Sequence, residues 1–218
     1  MSPDTVRVWL VDSALPAPEL DRLAATLDPG ERAKAAEMGA RQRREYIAAH
    51  GAARAIVGRA LGIEPARVRW TIGRHGKPEV DGLRMSLTRS FGLAMVACAD
   101  RRAVGVDLQW VDDGLDIPRA ATRFYPADEA RHVGGSPARF TGLLARKEAC
   151  VKAAGGRLFP GLRLPVHDRT VVWQADGPYR VRDIPAPRGY LAAVALAGTE
   201  DFEVREHRWC GLEEVAPW

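Results

Sequence analysis

A chain of 218 residues, 46% of them hydrophobic, can bury a core as one large domain or two smaller ones, and it holds no run near the roughly 20 apolar residues of a membrane-spanning helix. Its formal charge of +4 and pI near 9.2 are basic, but acids and bases are interspersed rather than gathered into tails, which argues against a protein that coats nucleic acid. Cys98, Cys150 and Cys210 are odd in number and far apart, so neither a disulfide framework nor a CxxC metal site is indicated.

With Asp4 and Arg7 just inside it, the N-terminus lacks the basic-then-apolar pattern of a signal segment, and a cytoplasmic location is expected. Residues 6–11 predict a strand, rich in β-branched and aromatic side chains. Asp28 followed by Pro29 marks a helix start, the helical pattern runs over 31–61 with a break near Gly39, and Gly62 is placed for a left-handed stop. Residues 67–72 predict a short strand, 73–78 a turn with clustered positive charge, and 83–87 a further strand. Residues 88–90 are expected to connect it to a buried strand over 92–99, with 104–111 as that strand's hairpin partner. Two short helices, 118–124 and 126–132, precede a long helix that ends at Gly155. The remainder is β-rich, with strands over 170–174, 179–182, 189–197 and 202–207 and an Asp176-Gly177 turn between the first two.

The halves resemble each other. Residues 53–62 align without gaps with 146–155, basic residues falling on basic residues and the closing glycines matching, and 92–99 mirrors the strand that begins at Gly189. Chance similarity is the competing explanation in so alanine-rich a sequence. The repeat predicts an α+β fold of two similar lobes, 1–110 and 111–218, related by pseudo-twofold symmetry with a cleft at their interface.

On the long second helix Glu148 and Lys152 are four apart, acid before base, and stack on one face. Phe140, Leu144, Val151 and Ala154 form the apolar stripe, which puts the pair at its edge, either as a solvated ion pair or as a functional one. Asp107 and Gln109 share one face of the 104–111 strand, where they are either a solvated face or part of a site. Asp107, Glu148 and Gln109 together make an oxygen-only donor set suited to Mg²⁺. Lys152 is placed to neutralise charge on a transferring phosphate, while Lys77, Arg74 and Arg89 are candidates to grip a second phosphate of a nucleotide-like donor. No Walker or GxGxxG loop is present, and His75, His132, His167 and His207 lie in polar or turn contexts that suit surface histidines.

Val104-Gly105-Val106-Asp107, followed some forty residues later by Lys147-Glu148-Ala149-Cys150-Val151-Lys152, resembles the paired signature of the Sfp-type, pseudo-dimeric 4'-phosphopantetheinyl transferases. Gly76-Lys77-Pro78, Leu87-Thr88-Arg89-Ser90 and Phe124-Tyr125-Pro126-Ala127-Asp128-Glu129 support the resemblance, which spans roughly residues 30–165. It implies transfer of the phosphopantetheine arm of coenzyme A to a serine of an acyl- or peptidyl-carrier protein, with release of 3',5'-ADP. Asp107 and Glu148 would hold Mg²⁺, Glu148 would help deprotonate the serine, and Lys152 would stabilise the transferring phosphate or the leaving group. Lys77, Thr88 and Arg89 would contact the 3'-phosphate and adenosine end, with Arg44 and Arg54 as further candidates. The segment after Gln109, through Phe124, would dock the carrier. The implied partners are coenzyme A and carrier proteins, with no nucleic acid and no membrane, and a monomer suffices.

Three positions depart from the family pattern. Thr88-Arg89-Ser90 stands for Ser-His-Ser, Gln109 replaces a second acid, and Leu144 replaces a tryptophan. The weakened acid set keeps a second reading open, a non-catalytic module of the same fold that binds coenzyme A or a nucleotide.

Overall fold

The computed structural model describes residues 4–73, 75–156 and 158–212. Its first strand, β1 (Asp4–Asp12), is buried on both faces. Val6 and Val8 enter one core, and Trp9 and Val11 enter another. That double burial requires something packed on each side of the sheet.

Three helices follow: α1 (Ala17–Thr26), α2 (Pro29–Ala36) and α3 (Ala40–Leu61). The Asp28 carboxylate accepts from the Glu31 amide at 2.8 Å and the Glu31 carboxylate from the Asp28 amide at 3.1 Å, a reciprocal cap that starts α2. The chain then makes two short strands, β2 (Thr71–Ile72) and β3 (Pro78–Glu79), followed by β4 (Arg84–Ser90), β5 (Leu93–Ala99) and β6 (Val104–Trp110). The second half comprises α4 (Ile117–Phe124), α5 (Ala127–Val133), α6 (Pro137–Ala154) and the short α7 (Leu158–Gly161). Strands β7 (Val171–Gln174), β8 (Gly177–Ile184), β9 (Tyr190–Ala197) and β10 (Phe202–Arg208) close the chain. Both long helices end, as expected, on a left-handed glycine, Gly62 and Gly155.

One four-stranded sheet has the order β10-β1-β5-β4 and the other β6-β9-β8-β7. The chain is thus α+β, with helices segregated to the outer faces of two sheets, the first mixed and the second antiparallel. The core has three parts. One lies between α3 and the first sheet, one between the two sheets, and one between the second sheet and α5 and α6. Strands alternate accordingly: Val104, Val106 and Leu108 of β6 face the other sheet, while Gly105 faces α6. A Cβ on Gly105 would lie 2.0 Å from the Ala149 carbonyl oxygen, so only glycine lets α6 approach β6 this closely.

Four sequence-based expectations are corrected. Of residues 67–72 only 71–72 form a strand, and the turn between β7 and β8 is Ala175-Asp176, because Gln174 pairs with Gly177. Residues 88–90 are no connector but the end of β4, and β6 is not the hairpin partner of β5. β6 pairs with β9 in the second sheet, Asp107 opposite Ala193. Strand propensity marks a segment as extended without naming its partner. Strands also trade across residue 110, since β10 runs parallel to β1 in the first sheet.

A buried strap occurs twice. Arg54 on α3 gives its guanidinium to Glu31 (2.6 Å) and Asp28 (2.6 Å) and to the carbonyl of Val68 (2.9 Å). Lys147 on α6 gives its ammonium to Glu129 and to the Leu164 carbonyl, while Glu129 accepts from the amides of Val166 and His167. In each half a cation on the long helix ties a glutamate on a preceding short helix to the backbone that follows. Both cations are wholly buried, which explains why Arg54 and Lys147 match in the aligned segments.

Candidate active site

The two sheets meet where β4 runs beside β6, and three hydroxyls on one face of β4 make the junction. Ser86 Oγ accepts from the Val106 amide at 3.1 Å and Ser90 Oγ from the Trp110 amide at 2.9 Å. Between them Thr88 Oγ1 donates to Asp107 Oδ1 at 2.8 Å. The i, i+2, i+4 spacing puts all three on one face of the strand.

Asp107 is fully buried. Its Oδ1 also accepts from Lys152 Nζ at 2.5 Å, and its Oδ2 from Gln109 Nε2 at 2.8 Å. The same Gln109 nitrogen reaches Glu148 Oε1 at 3.2 Å, and Lys152 Nζ stands 3.9 Å from Glu148 Oε2. The two carboxylates therefore converge on one small donor. Burial, and secondarily the charge of Asp107, push the Glu148 carboxyl up to about 7 against the opposing pull of Lys152. A carboxylate poised near neutrality beside an ammonium suits proton abstraction.

These groups line one side of a cleft of about 620 Å³. The other side is built by α2 and α3, with Lys34, His50 and the Thr88-Arg89 end of β4 at its edge. Here Tyr46 is ringed by nitrogen groups. His50 stacks on it at 3.9 Å, the Arg89 guanidinium lies 5.2 Å and the Lys34 ammonium 5.7 Å from its ring centre. Burial pushes the Tyr46 hydroxyl up to about 12 and lowers His50, whose Nδ1 meets Glu31 at 3.2 Å. Among the described residues neither Lys34 nor Arg89 has a carboxylate partner, which leaves two cations facing the cleft for an anion.

The expected site residues divide. Asp107, Gln109, Glu148, Lys152, Thr88 and Arg89 all line the cleft. Thr88, expected at the adenosine end, instead commits its hydroxyl to Asp107. Arg54, expected as a ligand contact, is consumed in the α2–α3 strap. Arg44 donates to the carbonyls of Ser13 and Leu15, fastening the chain after β1 to α3. Lys77 turns its ammonium to the carbonyls of Val104 (3.0 Å) and Ala153 (3.4 Å), tying β6 to the end of α6, and burial lowers it to about 8. It borders a separate hollow, although its neighbours Gly76 and Pro78 border the cleft. Arg74 lies outside the described residues. Lys147, a neighbour of Glu148 in the helix, is buried rather than presented.

Lys34, Tyr46 and His50 were not among the expected site residues. The rarity of lysine singles out Lys34, but His50 sits in an alanine-rich helix with no motif around it. Among the described residues no group of three His, Cys, Asp or Glu side chains could hold a metal ion. The oxygen donors at hand are two carboxylates and the Gln109 amide, and turning that amide over would point its oxygen where its nitrogen now bridges them.

No family model matches the chain. It is similar to the 4'-phosphopantetheinyl transferase HetI of Nostoc sp., 32% identical over 215 residues that cover 89% of each chain. It is also similar to a 4'-phosphopantetheinyl transferase of Bacillus subtilis, 27% identical over 215 residues, 86% of this chain and 89% of the relative.

Proposed function

The chain belongs to the 4'-phosphopantetheinyl transferases, enzymes that move the phosphopantetheine arm of coenzyme A onto carrier proteins, and from that premise we propose how its residues share the reaction. Glu148 is the base. It takes the proton of the carrier serine as the hydroxyl oxygen bonds to the phosphorus of the arm, while the bond from that phosphorus to the bridging oxygen of the pyrophosphate breaks and 3',5'-ADP leaves. Lys152 offsets charge on the transferring phosphate and leaving group. The observation that carries this reading is the convergence of Asp107, Glu148, Gln109 and Lys152 on one wall of the cleft.

The oxygen-only set fits Mg²⁺, which binds through one or two carboxylates together with substrate phosphate. Asp107 and Glu148 would hold the ion, with Gln109 as a neutral third donor, directly or through water. When bound it supplies neutralisation of the pyrophosphate. Lys34 and Arg89, with Tyr46 between them, form the anion grip for the nucleotide end of coenzyme A. Both walls of the cleft come from one chain, which supports a monomer as the working unit. A cytoplasmic setting accords with the three free thiols.

The test is the mass of an apo carrier protein incubated with enzyme, coenzyme A and Mg²⁺, across fatty-acid, polyketide and nonribosomal-peptide carriers. One added phosphopantetheine is expected on at least one carrier, lost in Asp107→Ala and in Glu148→Ala with their circular dichroism unchanged. Coenzyme A binding without a mass shift on any carrier defeats the catalytic reading. Retained transfer in both variants shows the base and metal donors to lie elsewhere.

A further inference from the structure

The turn from β4 to β5 has two residues, Phe91 and Gly92, because Ser90 pairs with Leu93. Both take positive φ, 42° and 87°. That is the primed hairpin turn for which Asn-Gly is the favoured pair. Phenylalanine at its first position sits in left-handed backbone that its Cβ disfavours. Burial does not repay the strain, because the ring is 62% exposed.

The ring belongs to a built surface. It lies 5.9 Å from Trp110, which meets Tyr190 edge-on at 5.0 Å, and the Tyr190 hydroxyl donates to the Phe91 carbonyl at 2.7 Å, holding the turn. The Arg41 guanidinium stands 5.4 Å from the Phe91 ring centre. Behind Trp110 the backbone of Gly189 comes so near that a Cβ there would be 2.6 Å from the indole. An exposed, prearranged aromatic platform of this kind is a binding feature rather than a folding one.

Its position selects the occupant. Phe91 borders the catalytic cleft together with Gln109, whose amide joins the two carboxylates, and Trp110, on the other face of β6 from Gln109, backs the Phe91 ring. An acceptor hydroxyl that reaches Glu148 brings the surface around it down over Gln109 and the Phe91 ring that Trp110 backs. The charged groups of the donor are drawn instead to the cations Lys34 and Arg89. We infer that Phe91 and Trp110 seat an apolar side chain that flanks the acceptor serine on the carrier protein, and so set affinity for the carrier. This rests on the transfer reaction as proposed above.

The test compares wild type, Phe91→Asn and Trp110→Ala by holo-carrier mass, with KM measured separately for carrier and for coenzyme A, alongside thermal melts. Phe91→Asn is expected to melt higher than wild type, with a carrier KM raised about tenfold and a coenzyme A KM within twofold of wild type. Trp110→Ala is expected to raise the carrier KM similarly, without the gain in melting temperature. Carrier KM unchanged in both variants overturns the inference. So does a rise confined to the coenzyme A KM, which assigns the platform to the donor's arm, and so does a lower melt for Phe91→Asn, which shows that the ring serves the fold. A wild-type chain that binds coenzyme A and charges no carrier defeats the underlying reaction as well, whereas active wild type with indifferent variants defeats this inference alone.

Discussion

Replacing Thr88 by valine separates two roles for one hydroxyl. Valine keeps the shape of threonine and removes only the donor to Asp107 Oδ1, a 2.8 Å bond in a fully buried setting. A hydrogen bond to a charged group is worth about 1.5–3 kcal/mol. If that bond holds Asp107 in place for the chemistry, its loss costs about tenfold to 150-fold in kcat. Lys152 and Gln109 still contact Asp107, which favours the lower part of that range. The assay is steady-state transfer to a carrier protein with coenzyme A varied. The expected result is a lowered kcat with the coenzyme A KM within twofold of wild type, restored by Thr88→Ser. A raised coenzyme A KM with kcat intact refutes the reasoning and returns Thr88 to the adenosine end of the donor.

Arg54→Leu leaves Glu31 and Asp28 facing an apolar side chain in a buried site, and a loss of about 3–5 kcal/mol in urea-unfolding free energy is expected. An unchanged midpoint shows the strap to be dispensable. Gly105→Ala drives a methyl against the Ala149 carbonyl, so a loss of about 3 kcal/mol or more and a displaced α6 with depressed transfer are expected from thermal melts and the mass assay. Wild-type stability refutes the close approach. Acid stability follows from Glu31. Burial alone raises its carboxyl, but hydrogen bonds from His50, Arg54 and the Asp28 amide, with the Arg54 charge, bring it from 4.5 to about 2. As pH falls below the unfolded value, the unfolded chain takes up a proton that the folded chain refuses. The stabilisation, roughly 3 kcal/mol, is therefore present above about pH 4.5 and lost as pH approaches 2. Urea melts between pH 6 and pH 2.5 check this, with a shallower pH dependence expected for Glu31→Gln.

Much of this was legible because the signals are local. Asp28 and Pro29 open α2, left-handed glycines close α3 and α6, and the acidic pair announces its chemistry through residue type and spacing. What was not legible depends on partners far along the chain. Arg54 looks like a phosphate ligand until Asp28 and Glu31 arrive from the neighbouring helix to consume its charge. Lys77 looks like another until its ammonium is found on backbone carbonyls of β6 and α6. The β6 sequence declares a strand, yet its partner is β9 rather than the adjacent β5. His50 carries no motif and gains its place from stacking on Tyr46, one helical turn earlier.

The parallel pairing of β1 with β10 sets a schedule for synthesis. Asp4 lies opposite Phe202, so the chain must leave the ribosome through Phe202 and beyond before β1 finds its outer neighbour. Until then one edge of β1 stays open, with its amides and carbonyls available to any other strand. Such long-range closure slows folding and lengthens the window for wrong pairing. A nascent chain stalled before residue 202 would carry every cleft residue named above and still present a sticky edge. Soluble expression is therefore expected to depend on β10, none of whose residues lines the catalytic cleft.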